Sequence, residues 1–426
     1  MESHEPRPVT FLLGAGASAE AGLPVSRAIT QKMIDKLSDQ RRNDQASSAF
    51  NFVVSAIIAD DGRSGRRPDE LPDIERVASA IELLASRADL EISPFVSTWE
   101  PALTALESAP AREPAFLERD LVRALTGQRG GVYPRKGTAP AEPDGRRLVK
   151  LLRDLISSQV AGGPSPVFSR LLNMLVEYLV DILRIPDDSS FDYLTPLTCV
   201  SNPGSEVTTI STLNYDLGLE LVASRNGVDL STGIADWAQT GMLDFSSAPL
   251  RLLKLHGSLD WQRERNRSLL TPRSGLVSED SMRTRPFIVF GQREKLRAEG
   301  PFLQLLEAFR STLQAAATLV VLGYAFRDDH INECIARWLL GNEDRRLLIV
   351  DPFFPESPGW GRELDFQRDL LRWQHSAGHD QESVRVCIRR QKASEFLTDL
   401  EALGAAALLE SAFAAPSQDG VGDDEP

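Results

Sequence analysis

A glycine-rich turn near the start of the chain has the residue types that bind phosphate. The segment FLLGAGAS (residues 11–18) is an apolar run that leads into Gly14 and Gly16. Glycine allows positive φ and close backbone approach, so successive amide N–H groups can point at an anion. We predict a helix that begins near Ser18, whose N-terminal dipole would add to this cradle. Since the spacing is neither the GxGxxG fingerprint nor a P-loop, a plain strand-to-helix turn is the alternative.

Polar residues also follow four later apolar runs. They are Asn214, Tyr215 and Asp216 after ISTL, His256 after LLKL, Gly323 and Tyr324 after LVVL, and Asp351 after LLIV. Ligands of open α/β sheets collect beyond the carboxyl ends of the strands. The turns therefore predict a single composite site. The alternative for the segment Asn214–Asp216 is an Asx turn or a helix N-cap.

Apolar runs and helical segments alternate around these turns, and this pattern predicts an α/β fold. We expect a Rossmann-like doubly wound parallel sheet with a large helical insertion. The first strand covers Thr10–Leu13, and the later strands are the runs VTTISTL, RLLKLHG, FIVFG, TLVVLGYAF, RRLLIVD and VRVCIRR. Helical periodicity lies between them, for example at Phe168, Leu171, Leu172, Leu175, Val176 and Leu179.

We predict four regions along the chain. Residues 1–37 hold the first strand, glycine-rich turn and helix, and residues 38–200 form the mainly helical insertion. Residues 201–400 complete the Rossmann-like domain, and residues 401–426 hold a helix end and an acidic disordered tail.

Composition narrows the classes of protein. The net charge of −14 disfavours a protein that coats nucleic acid with its whole surface. The three cysteines form no CxxC pair, so we expect no zinc site and no disulfide framework. We find no signal peptide and no window near the roughly 18 apolar residues of a membrane span, and we expect a cytoplasmic protein without a membrane partner.

Four motifs in order resemble the sirtuin-like domain of bacterial NAD-consuming anti-phage proteins. They are GAGASAEAGLP (14–24), TLNYD (212–216), KLHGSLDW (254–261) and GYAFRDDHIN (323–332). The chain lacks the four-cysteine zinc module of deacylating sirtuins, and it has Val25, Ser26 and Arg27 where those enzymes have Asp-Phe-Arg. The usual TTNYD carries Leu213 at its second position, and we expect that side chain to face the core. The resemblance thus favours NAD cleavage over deacylation.

The resemblance implies cleavage of the nicotinamide–ribose bond of NAD as substrate, with no metal. Asn214 would orient the ribose hydroxyls or the attacking water, and His256 would be the base, since an imidazole ordinarily titrates near pH 6.5. Asp216 would hold the carboxamide or stabilise positive charge. The cofactor-binding set would be Gly14, Ala15, Gly16, Ala17, Ser18, Gly22, Pro24, Thr212, Gly323, Tyr324 and Asp351, with the last three at the adenosine end.

Other polar and aromatic residues have structural alternatives. We expect His330 to cap or orient a helix, Asp328 and Asp329 to form a solvated helix start, and Trp261 to pack rather than stack on adenine. Residues 263–299 carry nine basic and five acidic residues, which is typical of a solvated loop and leaves a nucleic-acid strip as an alternative.

Taken as a whole, the resemblance implies a toxic effector of an anti-phage, abortive-infection system. Such an enzyme must be gated, and the resemblance implies a homo-oligomer paired with a HerA-type ATPase. Two alternatives remain open at this point: a non-catalytic regulator that binds NAD or ADP-ribose, and a nucleic-acid-directed defence effector.

Overall fold

In a computed structural model, described residues are 8–39, 44–64, 70–87, 90, 166–185, 187–200, 207–245, 248–263, 270–272, 286–288, 300–356, 365–376 and 385–413. The strands are β1 Val9–Leu13, β2 Thr208–Thr212, β3 Leu230–Ser231, β4 Leu250–Lys254, β5 Gly257–Arg263, β6 Leu270–Pro272, β7 Pro286–Ile288, β8 Thr318–Leu322, β9 Arg346–Val350 and β10 Val386–Arg389.

The described helices precede, separate and follow these strands along the chain. They are α1 Ala15–Ala19, α2 Ser26–Asp39, α3 Asp44–Arg63, α4 Ile74–Ala85, α5 Pro166–Ile182, α6 Thr195–Cys199, α7 Gly218–Arg225, α8 Ile234–Thr240, α9 Phe302–Ala315, α10 Asp329–Leu340, α11 Asp365–Ser376, α12 Ala393–Leu403 and α13 Ala405–Phe413. A 3-10 helix covers Asp188–Leu194.

The main sheet has seven parallel strands in the order β10-β9-β8-β1-β2-β4-β3. Phe11 in β1 is opposite Ile210 on one side and Val320 on the other. The chain moves from β1 to β2 on one side and later reaches β8 on the other side. The turn after β1 therefore lies at the topological switch point, where doubly wound sheets bind their ligands.

Alternate residues of the strands enter two separate apolar cores. Leu12, Leu319 and Ile349 lie in a core with α8, α9, α10 and α11. Phe11 and Val320 lie in a second core that includes α7, α12 and α13. Since side chains alternate across a strand, each face of the sheet is covered by its own set of helices. The predicted doubly wound α/β fold is confirmed.

One predicted strand belongs to a different sheet. The run FIVFG was assigned to the parallel sheet, but β7 pairs antiparallel with β5 in a sheet of order β6-β5-β7. The chain enters β5 directly after β4 through Gly257, which has φ 87°. Parallel pairing needs a long crossover connection, and an antiparallel pair does not. That assignment was therefore wrong in sheet and direction.

The described residues fall into two compact units. The first is drawn from Met1–Met33, Val54–Ser79 and Leu175–Pro426, and the second from Ile34–Val53 and Ala80–Met174. The division differs from the predicted insertion at 38–200, because residues 54–79 and 175–200 group with the sheet. Described parts of the second unit are helical and bury Phe50, Ile81, Phe168 and Leu171.

Near the C-terminus, α13 packs Leu408, Leu409 and Phe413 into the second core. The predicted acidic tail after residue 413 lies outside the described residues, as does most of the insertion.

Candidate functional site

The turns that follow β1, β2, β4, β8 and β9 line a cleft of about 270 Å³ at one edge of the main sheet. Backbone hydrogen bonds continue past the strand ends, from Leu213 N to Leu13 O (2.9 Å) and from Leu255 N to Thr212 O (3.0 Å). The turns are consequently held side by side. The predicted residues that line the cleft are Gly14, Ala15, Gly16, Ser18, Pro24, Asn214, Asp216, His256, Gly323, Tyr324 and Asp351.

The turn after β8 packs so closely against the first turn that only glycine fits at positions 14 and 16. A Cβ on Gly14 would lie 2.6 Å from Gly323 O, and a Cβ on Gly16 would lie 2.8 Å from Gly323 Cα. Gly323 has φ 61°, and its own Cβ would lie 2.3 Å from Ala17 N. Two backbone segments thus touch at a distance that only glycine permits.

The structure differs in two details from the phosphate cradle that the sequence predicts. Helix α1 begins at Ala15 rather than near Ser18, and Gly14 has φ −110° rather than a positive value. The amides of Gly16 and Ala17 donate to Gly323 O (2.8 Å) and Gly14 O (2.9 Å). These amides are used inside the protein, so the cradle offered to an anion is smaller than the sequence predicted.

Asn214 is held in one orientation by groups around its amide. Its Nδ2 donates to Gly14 O and to Ser18 Oγ, both at 2.9 Å, and its backbone N donates to Thr212 Oγ1 at 3.0 Å. Because a carbonyl oxygen can only accept, Gly14 O fixes which end of the amide is nitrogen. The side-chain oxygen of Asn214 is therefore the end offered to a ligand in the cleft, as an acceptor alone.

Asp216 is anchored at both carboxylate oxygens. Oδ2 accepts from Ser18 Oγ at 2.8 Å, and Oδ1 accepts from the amide of Gly218 at 3.0 Å. The second contact is the Asx turn that the sequence left as an alternative. Lys254, whose side chain is fully buried, donates from Nζ to Asp216 O and to Glu220 Oε1, both at 2.6 Å.

His256 lies between two carboxylates. Its Nε2 is 2.8 Å from Asp328 Oδ2, and its Nδ1 is 3.7 Å from Glu75 Oε1. Asp328 also accepts the amide of His330 at Oδ1 (3.0 Å), as the N-cap of α10. The predicted helix start is confirmed, but Asp328 is buried rather than solvated because it serves the histidine as well as the helix.

Tyr324 belongs to the same buried network. Its hydroxyl accepts from the amide of Asp328 (3.0 Å) and donates to Asn332 Oδ1 (3.0 Å). Burial raises the pKa of Tyr324 well above its ordinary value, and the charge of Asp328 adds to the effect. Neutral Tyr324 thereby stabilises the loop that carries Asp328.

Sequence reasoning missed the acids that α4 brings to the cleft. Asp73 and Glu75 line it, although they lie in the region predicted as insertion. Asp73 accepts the amide of Arg76 at Oδ1 (3.0 Å), and its Oδ2 is 3.2 Å from Arg327 Nη1. The start of α4 is thus tied to the residue before Asp328. A helix-start signal was present in LPDIERV, but it does not reveal where the helix docks.

Tyr215 connects Glu75 to the turn after β2. Burial raises the pKa of Tyr215 well above its ordinary value, with contributions from the charges of Glu75 and Asp328. The Tyr215 hydroxyl is hydrogen-bonded to the Glu75 carboxylate. As a neutral donor, Tyr215 holds that carboxylate at the cleft wall.

The far end of the cleft carries Asp351 and Phe353. Burial raises the pKa of Asp351, while Phe353 N donates to its Oδ1 at 2.8 Å and opposes that shift. Phe353 lines the cleft and is 90% exposed. The sequence analysis did not identify Phe353 as a cleft residue. Its position two residues after Asp351 is the feature that could have indicated this role.

Several predicted binding residues have other contacts. Ala17 is buried and accepts the Tyr193 hydroxyl at its carbonyl oxygen, Gly22 turns the chain with φ 87°, and Thr212 supports Asn214. None of these three lines the cleft. Trp261 is fully buried, so it packs as expected, and Leu213 lies in the core as expected.

Among the described residues, no group of three or more His, Cys, Asp or Glu side chains is placed to hold a metal ion. None of the described helices has the length and apolar character needed to cross a membrane. Most of the basic segment 263–299 lies outside the described residues.

Part of the chain is similar to a known domain family. Residues 208–369 match the SIR2-like domain family. No curated protein matches the chain. Similar solved structures include a Sir2 homologue mutant with 2′-O-acetyl ADP ribose (13% identity, 94% of this chain and 95% of that chain, TM-score 0.36). Another is Sir2Tm bound to a propionylated peptide (11% identity, 94% of each chain, TM-score 0.32).

Proposed function

We propose that the protein is an NAD glycohydrolase that releases nicotinamide and ADP-ribose. The observation that carries this proposal is the pairing, in one cleft, of an Asn214 side-chain oxygen with a buried histidine nitrogen that has no hydrogen-bond partner among the described residues. The amide oxygen can accept a hydrogen bond from a hydroxyl, and the histidine nitrogen can accept a hydrogen bond or a proton. The match of residues 208–369 to the SIR2-like domain supports NAD as the ligand.

The reaction would break the bond between C1′ of ribose and the nicotinamide nitrogen. The bonding electrons go to that nitrogen and neutralise the pyridinium, while positive charge develops on the ribose. The cleft wall carries Asp73, Glu75, Asp216 and Asp328. Carboxylates held in fixed positions stabilise such a charge without having to reorganise.

Other parts of the cleft suit the rest of the dinucleotide. Arg27 and Arg327 line it and would attract the pyrophosphate, together with the start of α1. Phe353 would offer an apolar face to the adenine ring, and Asp351 would accept a hydrogen bond from the adenosine ribose. We retain Gly323 and Tyr324 as the backbone and ring that border this end.

The test is to incubate the purified protein with NAD, alone and with candidate partners, and to follow nicotinamide and ADP-ribose by chromatography. We expect nicotinamide release that falls by at least about a hundredfold in Asn214→Ala and in His256→Ala, the typical loss for a proton-transfer or orienting group. Glu333→Ala is the matched control, because Glu333 is an exposed residue of α10 paired with Arg337, outside the cleft.

NAD binding without turnover in the wild type, both alone and with candidate partners and at every concentration of protein, would instead assign the regulator. In that case Asn214→Ala would change affinity and nothing else. No described contact favours the nucleic-acid-directed alternative.

We further propose that this activity serves anti-phage defence and is gated by assembly, with a homo-oligomer and a HerA-type ATPase as partner. The support is the resemblance of the four motifs together with the toxicity of NAD depletion. Purification with and without such an ATPase, followed by mass measurement and the nicotinamide assay, tests it. A single small species that releases nicotinamide at the same rate with and without the ATPase would refute this second proposal.

A further inference from the structure

One nitrogen of the buried histidine in the cleft lacks a partner. The His256 side chain is 4% exposed, and its Nδ1 has no hydrogen-bond partner among the described residues. Its Nε2 is 2.8 Å from Asp328 Oδ2. Leaving a buried polar atom unpaired costs free energy, so such an atom at a cleft wall indicates a ligand.

The contacts of Asp328 determine which nitrogen carries the proton. Its Oδ1 accepts the amides of His330 (3.0 Å) and Ile331 (3.4 Å), as an ionised carboxylate does. An ionised carboxylate accepts at both of its oxygens, so we assign Nε2 of His256 as the donor to Oδ2. In the neutral imidazole the lone pair is then on Nδ1.

Glu75 supplies a second acceptor beside that lone pair. Its Oε1 is 3.7 Å from Nδ1, which is too far for a hydrogen bond and suits two acceptors that do not bond each other. The first turn of α4 carries Glu75, and the Tyr215 hydroxyl holds its carboxylate. Two acceptors 3.7 Å apart can both lie about 2.8 Å from one water oxygen.

We propose that His256 Nδ1 and Glu75 Oε1 form a paired acceptor that binds the attacking water, which donates one hydrogen to each. The inference rests on the proposed glycohydrolase activity and names Glu75 as a residue that contacts the reacting water. Glu75 lies outside the four motifs that resemble the sirtuin-like domain.

The step balances as follows in atoms and charge. The water oxygen bonds to C1′ as the C1′–nitrogen bond breaks and its electron pair leaves with nicotinamide. The proton facing His256 passes to Nδ1, and the imidazolium is held between Asp328 and Glu75. The other hydrogen remains on the new C1′ hydroxyl, still facing Glu75. His256 then releases its proton to solvent.

Methanol distinguishes this role from general support of the fold. It has a single hydroxyl hydrogen, so it can bond His256 Nδ1 but cannot also donate to Glu75. The wild type should therefore favour water over methanol. Removing the Glu75 carboxylate should weaken the attack of water more than the attack of methanol. A product ratio does not depend on how much of the protein is folded.

The experiment measures methyl ADP-ribose against ADP-ribose after cleavage of NAD in water that contains methanol. We expect Glu75→Ala to raise this ratio about tenfold, the effect of one hydrogen bond to a charged group. Tyr215→Phe should raise it less, because the carboxylate stays but loses its anchor. Glu333→Ala, on the exposed face of α10, should leave it unchanged. An unchanged ratio in Glu75→Ala, with nicotinamide still released, overturns the proposal.

A second measurement does not depend on turnover. The chain has five histidines, so ¹⁵N NMR of histidine-labelled protein can resolve His256, with His256→Asn to assign it. We expect a protonated Nε2 and a bare Nδ1. A neutral ring protonated at Nδ1 would overturn the paired acceptor, whether or not the wild type releases nicotinamide. A lack of nicotinamide release would by itself refute only the proposed glycohydrolase activity.

Discussion

The buried ion pair behind the turn after β2 gives the sharpest test of the structure. Lys254 is fully buried, while the Glu220 side chain is 23% exposed. Lys254 Nζ donates to Glu220 Oε1 and to Asp216 O. The pair therefore fixes the backbone of a residue that lines the cleft. We predict that each single substitution, Lys254→Met or Glu220→Met, is strongly destabilising and that the double variant is more stable than either.

The magnitudes follow from what each substitution leaves behind. Glu220→Met leaves a fully buried ammonium without its carboxylate, which costs about 3–5 kcal/mol of unfolding free energy. Lys254→Met leaves a carboxylate that water still reaches, and it also removes the hydrogen bond to Asp216 O, for a total of about 2–4 kcal/mol. The double variant loses only that hydrogen bond and keeps apolar volume, so it should lose about 1 kcal/mol.

The pH dependence of Lys254→Met has a definite sign. Burial raises the pKa of Glu220, and Lys254 opposes this shift. Without Lys254, the pKa of Glu220 rises further above its unfolded value of about 4.3. A folded state that binds its proton more tightly than the unfolded state loses stability as pH increases through the folded pKa. Lys254→Met should be more destabilised at pH 8 than at pH 5, and the double variant should not show this slope.

Urea unfolding of the four proteins at pH 5 and pH 8, followed by circular dichroism, measures these free energies. Since the two single losses together far exceed the loss in the double variant, the coupling between the two sites should be about 4–8 kcal/mol, well outside the additivity expected of independent sites. A double variant as unstable as the sum of the singles would refute the buried pair as the structure presents it.

Two further predictions concern the turns of the cleft. Gly323→Ala should lower the unfolding free energy by about 2–4 kcal/mol, because φ is 61° and the new Cβ would meet Ala17 N at 2.3 Å. Gly227→Ala, at φ 67° in open space, should cost only about 1 kcal/mol in the same urea assay; equal losses would contradict the close approach. Phe353→Ala should raise KM for NAD about tenfold, the scale of stacking on a base, and leave KM for nicotinamide mononucleotide unchanged. Leu403→Ala, an exposed apolar control, should affect neither, and equal increases for both substrates would place the adenine elsewhere.

Much of the sheet could be predicted because buried parallel strands read as continuous apolar runs. The runs that became β2 and β9 lie within a residue of their predicted bounds. Strand β8 begins at Thr318, as the run TLVVLGYAF does, but it ends at Leu322. FIVFG has the same composition but joins the antiparallel sheet. Strand direction depends on the connection before it, and a run of apolar residues does not specify that connection.

The residues of the candidate site could also be predicted only in part from the sequence. Asn214, Asp216 and His256 were identifiable because each follows a strand, and such positions meet at one edge of a parallel sheet. Glu75 and Asp73 follow no strand. They reach the cleft because Asp73 caps α4 and pairs with Arg327, a tertiary contact that no local pattern encodes. The glycines were predicted as positions of close backbone approach, and the turn after β8 makes such an approach to Gly14 and Gly16.

The way the cleft acids are held bears on what the cleft can bind. Five carboxylates line the cleft and repel each other. Asp351 accepts the Phe353 amide, and the other four are each fixed by donors from the protein. These donors are Arg327 and the Arg76 amide for Asp73, Tyr215 for Glu75, Ser18 and the Gly218 amide for Asp216, and His256 with the α10 amides for Asp328. Most of these donors are neutral, so they fix the carboxylates without cancelling their charge. A cleft built this way favours a ligand whose reacting centre is positive, which the pyridinium ring of NAD is and which its ribose becomes as the bond breaks.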